Sequence, residues 1–536
     1  MKNKTHPLVQ QNLLDKAIAY FSPRMAKQRI ADRAQLALVG GYTGAKTNRA
    51  ALSNWNPGGG SANADTIPDL PMLRDRSRDQ MRNAPVAIGA LNTAVSHVIG
   101  TGLSCTPAVN AKFLGVSEED AEAWQEEVKS RFSAWAESVD CDLSRNLNFY
   151  GLQELAFRTM LESGDTFVIT PRVARSGRPA RLALQFIEAD RVCNPRGKIN
   201  SQTLLDGVEI APETGEAIAY WVARRHPGDL RVVGNEWDRV GARGSNTGRR
   251  NVIHLFKPLR PGQVRGVPWI APILEPLKQL NRWTDAELNA AVVSGLFSVF
   301  VKMDPDAFTE LFDDSSRTAL VDKASNWSGE MESGRAINLL PGESIETSTP
   351  GRPNPEFDPF WTAMVRQIGM ALEMPYEVLV MHFQSSYSAA RAAMLMAWKA
   401  WRARREFIAT YLCQPIYELW LTEEIAEGRV RAPGFFATDV ARAAWCGALW
   451  TGDGPGSIDP VKEVQAAEKR VALGISTKQA ESILHDGVDW AQKHRQRVKE
   501  TNAEKADGIY TLPAGTAPLP QTATEMPEPE SDDQNE

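Results

Sequence analysis

The chain has 536 residues, 43% of them hydrophobic and 24% charged, with 60 Lys or Arg against 66 Asp or Glu and a net charge of −6. That length predicts a sizeable core and two to four structural units, and the composition is that of an ordinary globular protein. All of the acidic excess lies in residues 508–536, which hold six carboxylates and no Lys or Arg. The body is therefore neutral, which excludes a protein held to its partner by overall charge.

Residues 1–50 are basic, with nine Lys or Arg against Asp15 and Asp32, and lead to a glycine-rich link at Gly58 to Gly60. Their first residues lack the apolar run of a signal peptide, and Leu13, Leu14, Ile18 and Phe21 predict a short amphipathic helix in a loosely held arm. Residues 83–111 contain no Asp, Glu, Lys or Arg and are long enough to span a bilayer. Pro85, Asn92, His97, Gly100, Gly102 and Pro107 instead predict a buried helix followed by a Gly-Thr-Gly turn. Helical spacing runs from Arg74 to Val98 and from Ser117 to Trp135, the second opened by a Ser-Glu-Glu-Asp start whose acids suit the positive end of a helix. Strand-like runs at Thr166–Thr170, Leu182–Ile187, Ala217–Ala223 and Val252–Phe256 make the first half an α+β unit.

Beyond Pro258 the stripe Ile270, Ile273, Leu274, Leu277, Leu280, Leu288, Val292 and Leu296 predicts a helix over 269–296, roughly 40 Å long at ~1.5 Å per residue. A polar, glycine-containing piece over 303–354 separates it from a second helix over 356–373, carried by Phe357, Phe360, Trp361, Met364, Ile368 and Leu372. Pro375 ends that helix, because the residue before a proline is pushed out of the helical region. An uncharged polar link follows (His382, Gln384, Ser385, Ser386, Tyr387), and a long helix begins at Ser388, with Pro415 expected to kink or split it. Residues 437–505 are again helical around a Gly-Asp-Gly-Pro-Gly turn at 452–456, and 508–536, with five prolines and six acids, reads as disordered.

Catalytic patterns are missing. Gly40 to Thr47 approaches the phosphate-cradling G-x-x-x-x-G-K-[ST] loop but has Ala45 where glycine is required, and no convincing apolar helix follows it. No H-E-x-x-H, G-x-S-x-G or G-x-G-x-x-G occurs, and the seven histidines do not pair at metal-ligand spacing. Asp140 with Asp142, and Asp304 with Asp306, read as solvated loop carboxylates. Cysteines 105, 141, 193, 413 and 446 lie far apart with no C-x-x-C pair, so free thiols in a reducing compartment are expected. No cofactor, metal or catalytic residue is expected.

The helix from Ser388 is the most unusual part of the body. Trp398 and Trp401, with Met394, Ile408 and Leu412, form a stripe that reads as core. Arg391, Lys399, Arg402, Arg404 and Arg405 interleave with no acid before Glu406. Five cations without a counter-charge meet either carboxylates, as on an intersubunit face, or phosphate, and both readings stay open.

Several patterns then resemble those of the lambda-like portal proteins of tailed bacteriophages. They are Arg76-Ser-Arg-Asp with Arg82-Asn-Ala-Pro85, Phe149-Tyr-Gly151, Glu188-Ala-Asp-Arg191, and His254-Leu-Phe-Lys-Pro-Leu-Arg-Pro-Gly-Gln263 with Arg265-Gly266. The order continues through Pro375-Tyr-Glu-Val-Leu379, Ser386-Tyr-Ser-Ala-Ala-Arg391, Asp459-Pro-Val-Lys-Glu463 and Gly474-Ile-Ser-Thr477. Each is weak alone, but together they keep family order over roughly residues 70–505.

The resemblance implies an α+β portal architecture forming a cyclic ring, generally a dodecamer, with a DNA channel on its axis for packaging and ejection. It implies a basic N-terminal arm (1–70), a mixed wing (71–268), a first stem helix (269–296), a small α/β clip (297–355) and a second stem helix (356–374). A tunnel loop (375–388), a long helix (389–421), a helical crown (422–507) and the acidic tail (508–536) complete it. His382, Gln384, Ser385, Ser386, Tyr387 and Ser388 would line the channel, while Arg391, Lys399, Arg402, Arg404 and Arg405 would touch DNA or a neighbouring subunit. Implied partners are further copies of the chain, double-stranded DNA, the terminase large subunit, a head-tail adaptor, and the major capsid and scaffold proteins, with no membrane. The implied place is the capsid vertex, after assembly in the host cytoplasm. The alternatives are a nucleotide-hydrolysing packaging enzyme using Gly40 to Thr47, and another ring-forming virion connector.

Overall fold

A computed structural model describes residues 13–38, 51–52, 54–55, 57–177, 180–229, 234–295, 299–303, 343–347, 354–383, 386–455 and 460–509. The chain divides into two compact units, Met1–Ser61 and Ala62–Glu536. In the first, the amphipathic stretch forms the helix Leu13–Phe21, and Pro23, free to sit at a first helical position, opens a second helix, Pro23–Leu38, which its weak periodicity did not announce. Gly40 to Thr47 and the tail from Tyr510 onward lie outside the described residues.

The second unit begins with helices that bury one face each. The helical stretch expected from Arg74 to Val98 is two helices, Leu70–Asn83 and Pro85–Val98, broken where Ala84 takes an extended conformation ahead of Pro85. The charge-free stretch is thus a buried helix followed by a turn at Gly100 to Gly102, and among the described residues no helix is long and apolar enough to cross a membrane. The helix Glu118–Glu137 is capped by the Ser117 hydroxyl, which accepts from the Asp120 amide at 3.0 Å. The helix Phe149–Ser163 is capped in the same way by Asn148.

Four small antiparallel sheets are described. Strand β2 (Asp165–Ile169) lies between β3 (Gln185–Ile187) and β8 (Val252–Phe256), with Asp165 opposite Phe256. A meander joins β4 (Leu204–Leu205), β5 (Val208–Ile210), β6 (Ala217–Ala223) and β7 (Trp237–Gly241). Side chains of β2 alternate across the sheet, so Val168 enters the main core while Phe167 joins Ile187, Val192, Val208, Tyr220, Val222 and Val252 in a second one. Strands β9 (Val299–Met303) and β10 (Glu343–Thr347) pair within the polar insert, most of which lies outside the described residues.

β1 (Ser104–Pro107) pairs with β11 (Ala448–Thr451), so a segment expected to be wholly helical contributes a strand beside the first-half helices. One continuous core accordingly holds Val98, Phe132, Phe157, Leu277, Val365, Trp401 and Trp420 together.

The two predicted stem helices are Leu274–Gly295 and Phe357–Ala371. Trp283 of the first stacks on Phe357 of the second at 4.8 Å, with Phe360 4.5 Å away. The apolar stripe of Leu274–Gly295 divides along its length: Leu274, Leu277 and Leu280 are buried, whereas Leu288 and Val292 are 64% and 58% exposed. Among the described residues the outer half of the stripe is left largely uncovered, although burying each such side chain would contribute ~1.5–3 kcal/mol.

Candidate functional site

The segment between the second stem helix and the long helix is built from two successive helix endings. Gly369 lets the chain fold back closely, since a Cβ there would sit 2.5 Å from the Met374 carbonyl oxygen. The Met374 amide donates to the Gly369 carbonyl at 2.9 Å, with Glu373 in the left-handed region at φ 56°. A one-turn helix, Tyr376–Leu379, follows and buries Val378 and Leu379. It ends in the same way, the His382 amide donating to the Glu377 carbonyl at 3.0 Å and Met381 at φ 53°. A left-handed Glu and Met each cost about 1–2 kcal/mol, so the turn is held by its packed flanks.

These endings aim the next residues outward. His382, Ser386 and Ser388 are exposed; Gln384, Ser385 and the side chain of Tyr387 lie outside the described residues. Sequence reasoning passed over Met381 and Phe383, which are 71% and 51% exposed at the same tip. The available signal was an apolar pair set between polar residues just after a proline-led turn.

The long helix, Tyr387–Ile408, turns Ala397, Trp401 and Ile408 into the core, with Met394 and Trp398 packed against it. Trp401 lies flat against His97, ring centroids 4.0 Å apart, and burial together with Arg405 lowers the His97 pKa below its ordinary value. The five cations separate into distinct environments. Arg405 donates to the carbonyls of His97, Val98 and Asp453 at 2.9, 2.9 and 2.8 Å, and its guanidinium lies 5.1 Å from the Trp398 ring centre. It thereby serves the negative end of the helix Pro85–Val98. Arg404 pairs with Glu373 at 2.9 Å and covers the Trp269 ring at 4.9 Å. Burial pushes both guanidinium pKa values down, opposed by Asp453 for Arg405 and by Glu373 for Arg404. Arg391 stands 3.7 Å from Glu463, while Lys399 and Arg402 project from the exposed face.

Asp453 also receives the Thr101 amide and hydroxyl, each at 3.0 Å, so the two glycine-bearing turns found separately in the sequence meet beside Arg405. Gly100 suits the left-handed φ of 57° there, and a Cβ would lie 2.1 Å from an Asp453 carboxylate oxygen and displace that side chain.

A second constellation escaped the sequence reading. Asp165, fully buried at the start of β2, accepts from Arg265 at 2.6 and 3.2 Å, from Arg74 at 3.3 Å and from the Gly266 amide at 3.2 Å. Arg265 reaches on to Asp206 at 2.7 Å and to the carbonyls of Ala189 and Val192, both at 2.8 Å. Arg78 pairs with Asp190. His254 Nε2 lies 3.3 Å from Asp165, its ring stacked between Phe167 at 4.1 Å and Phe256 at 4.3 Å. Burial pushes the Asp165 pKa up, but Arg265 and Arg74 more than reverse this and hold it well below the usual carboxylate range. Burial keeps His254 below its ordinary value despite Asp165. The patterns Arg76 to Asp79, Glu188 to Arg191 and His254 to Gly266 thus converge on one charge-balanced knot that ties helix, strand and loop together.

The five cysteines are free, and burial pushes the Cys141 and Cys446 thiols up to about 12. Among the described residues no group of three or more His, Cys, Asp or Glu is placed to hold a metal ion.

A helix pair flanking an insert, an outward loop and a long helix bound back to the first-half core is the arrangement expected of a portal-type chain. A family model described as phage portal protein, lambda family, matches residues 48–405, and the chain belongs to that family. The chain is 27% identical over 477 residues to Portal protein B of Escherichia phage lambda, covering 85% of this chain and 88% of that protein. It is also 27% identical to the portal protein of Escherichia phage N15, over 85% of this chain and 89% of that one. Among solved structures it is similar to a chain in the neck of a native GTA particle computed with C12 symmetry. That likeness has 13% identity and a TM-score of 0.40, over 78% of this chain and 92% of the other.

Proposed function

We propose that the chain assembles with further copies into a closed ring, a dodecamer, at one vertex of a phage head. The tip Met381 to Ser388 then forms the constriction of an axial channel for double-stranded DNA. The observation that carries this is the outward tip itself: a hydrogen-bonded double turn presents His382 and Phe383 to solvent while Arg404 and Arg405 are drawn back against the same chain. A conduit for a moving polyanion must not grip it. Each phosphate neutralised adds salt-dependent affinity that has to be surrendered at the next step, and duplex DNA presents a charge about every 1.7 Å.

The wing, stem, clip and crown boundaries expected from the sequence belong to this proposal. So do the terminase large subunit and head-tail adaptor as partners of the insert 297–355, capsid and scaffold proteins around the rim, and assembly in the host cytoplasm. Exposed Leu288, Val292 and Phe360 on the stem helices support contact between copies. The role is structural and mechanical.

Removing His382 to Tyr387 tests the assignment. Rings of unchanged size by light scattering and electron microscopy, with packaged DNA reduced, are expected. Loss of the ring, or unchanged packaging, would remove the loop from the channel.

A further inference from the structure

An open cleft of about 880 Å³ lies over the second core, away from the loop and the long helix. Its floor is made by β5, β6 and β8, including Val208, Tyr220, Val252 and Phe256. One edge is the loop Pro258 to Val264, stiffened where Gln263 accepts from the amides of Leu259 at 2.8 Å and Arg260 at 3.2 Å and donates to the Arg265 carbonyl at 2.7 Å. The opposite edge carries Arg243 and Arg250.

The polar groups facing this space are incompletely used. Tyr220 is only 5% exposed, yet its hydroxyl has no hydrogen-bond partner among the described residues. Arg250 is half-buried with its guanidinium in no hydrogen bond or ion pair among the described residues. Burial lowers its pKa, Arg243 adds to this, and Glu418 opposes it through space. Among the described residues Arg243 reaches Glu216, at 4.0 Å, and the Gly248 carbonyl, at 3.5 Å. Arg260 is already paired with Asp65 at 2.6 Å, and Glu216 is the acid on the rim. A desolvated guanidinium and a buried phenol over an apolar floor suit a carboxylate carried on an apolar, extended backbone.

We propose that this cleft holds an extended acidic peptide, and that the occupant is the chain's own C-terminal segment, residues 510–536, from the same or a neighbouring copy. That segment carries all of the chain's net charge and no cation, so it complements a rim that carries three guanidinium groups against Glu216 and on which Arg250 has no acid partner among the described residues. Its run Glu525-Met-Pro-Glu-Pro-Glu530 alternates carboxylates with Met526, Pro527 and Pro529, and prolines preset the extended form that docks on aromatic-lined grooves at little entropic cost. The chain from Ile509 to Glu525 can reach about 50 Å at ~3.3 Å per residue.

The test uses the full chain with the six acids changed to amides (Glu525→Gln, Glu528→Gln, Glu530→Gln, Asp532→Asn, Asp533→Asn and Glu536→Gln). A labelled synthetic peptide of residues 510–536 is titrated onto it by fluorescence anisotropy. Saturable binding is expected, weaker on the unaltered chain, whose own segment competes. Arg250→Glu should lower the affinity about tenfold and Tyr220→Phe about fivefold, the latter with no change in packing. Hydrogen exchange of Ala217–Ala223 and Val252–Phe256 should be faster in the amide variant than in the unaltered chain. Equal affinity for the Arg250→Glu and Arg250→Gln variants and their parent overturns the proposal. Equally tight binding of a scrambled peptide, or unchanged exchange, does so as well.

Discussion

Asp165 and Arg265 lie a hundred residues apart and meet through two hydrogen bonds, at 2.6 and 3.2 Å, with neither side chain exposed. Removing one member leaves the other charged and enclosed. Asp165→Leu or Arg265→Met should therefore cost about 3–5 kcal/mol, while the two combined should cost less than the single changes added. Denaturant titration of the four proteins measures the coupling; strict additivity would show that the pair acts as independent contacts.

The same knot gives stability a pH dependence. His254 is held neutral by burial, so its folded pKa lies below the ordinary value of about 6.5. Its contribution is complete above that pH and is lost as the pH falls, because only the unfolded chain takes up the proton. The slope is at most ~1.4 kcal/mol per pH unit. His97 is shifted in the same direction and adds to it. Melting temperatures between pH 5 and 7.5 should fall on acidification, and His254→Gln should flatten the curve. An unaltered slope in that variant would assign the effect elsewhere.

Two glycines should respond in opposite ways. A Cβ on Gly266 would lie 2.0 Å from the Gly164 carbonyl oxygen, whereas one on Gly89 meets nothing within 4 Å. Gly266→Ala should prevent or badly destabilise folding. Gly89→Ala, inside the helix Pro85–Val98, should stabilise it by about 0.5–1 kcal/mol. Thermal melts of both variants decide the matter.

The cations of the long helix should also divide. Arg405→Ala strands the carbonyls of His97, Val98 and Asp453 and should lower stability by roughly 2–4 kcal/mol. Lys399→Ala and Arg402→Ala should change it by no more than about 0.5 kcal/mol. If those two exposed residues bind a neighbouring subunit or phosphate, their loss will appear in ring formation or DNA packaging with the melting temperature unmoved.

What the sequence made legible follows its periodicity. The stripes of Leu274–Gly295 and Phe357–Ala371 and the continuous apolar run of Ala217–Ala223 are long, so each element was found, although the first helix starts five residues after the expected 269, behind a 3-10 turn at Ala271–Ile273. Trp237–Gly241 reads Trp-Asp-Arg-Val-Gly and becomes a strand only because β6 offers it a paired edge. The break at Ala84 was signalled by Pro85, but the residues on both sides suit a helix and were read as one stretch. The knot was invisible because Arg74, Asp165, Asp206, His254 and Arg265 come from well-separated segments, and isolated charged residues read as surface until something encloses them. Phe383 was missed for the opposite reason, since one aromatic residue in a polar link carries no period.

The long helix does not end at Ile408. Ala409–Cys413 continue it as a single wide π turn, just before Pro415, whose missing amide relieves the preceding backbone of one bond. A π turn accommodates one more residue than the α-helical turn on either side, and Thr410 and Tyr411 sit on its outer surface while Leu412 and Cys413 stay in the core. The chain therefore carries a slack stitch at this point. Deleting Thr410 should close it to ordinary helix with the buried faces above and below still in step, making this the place where the helix can shorten by one residue without unpicking the core.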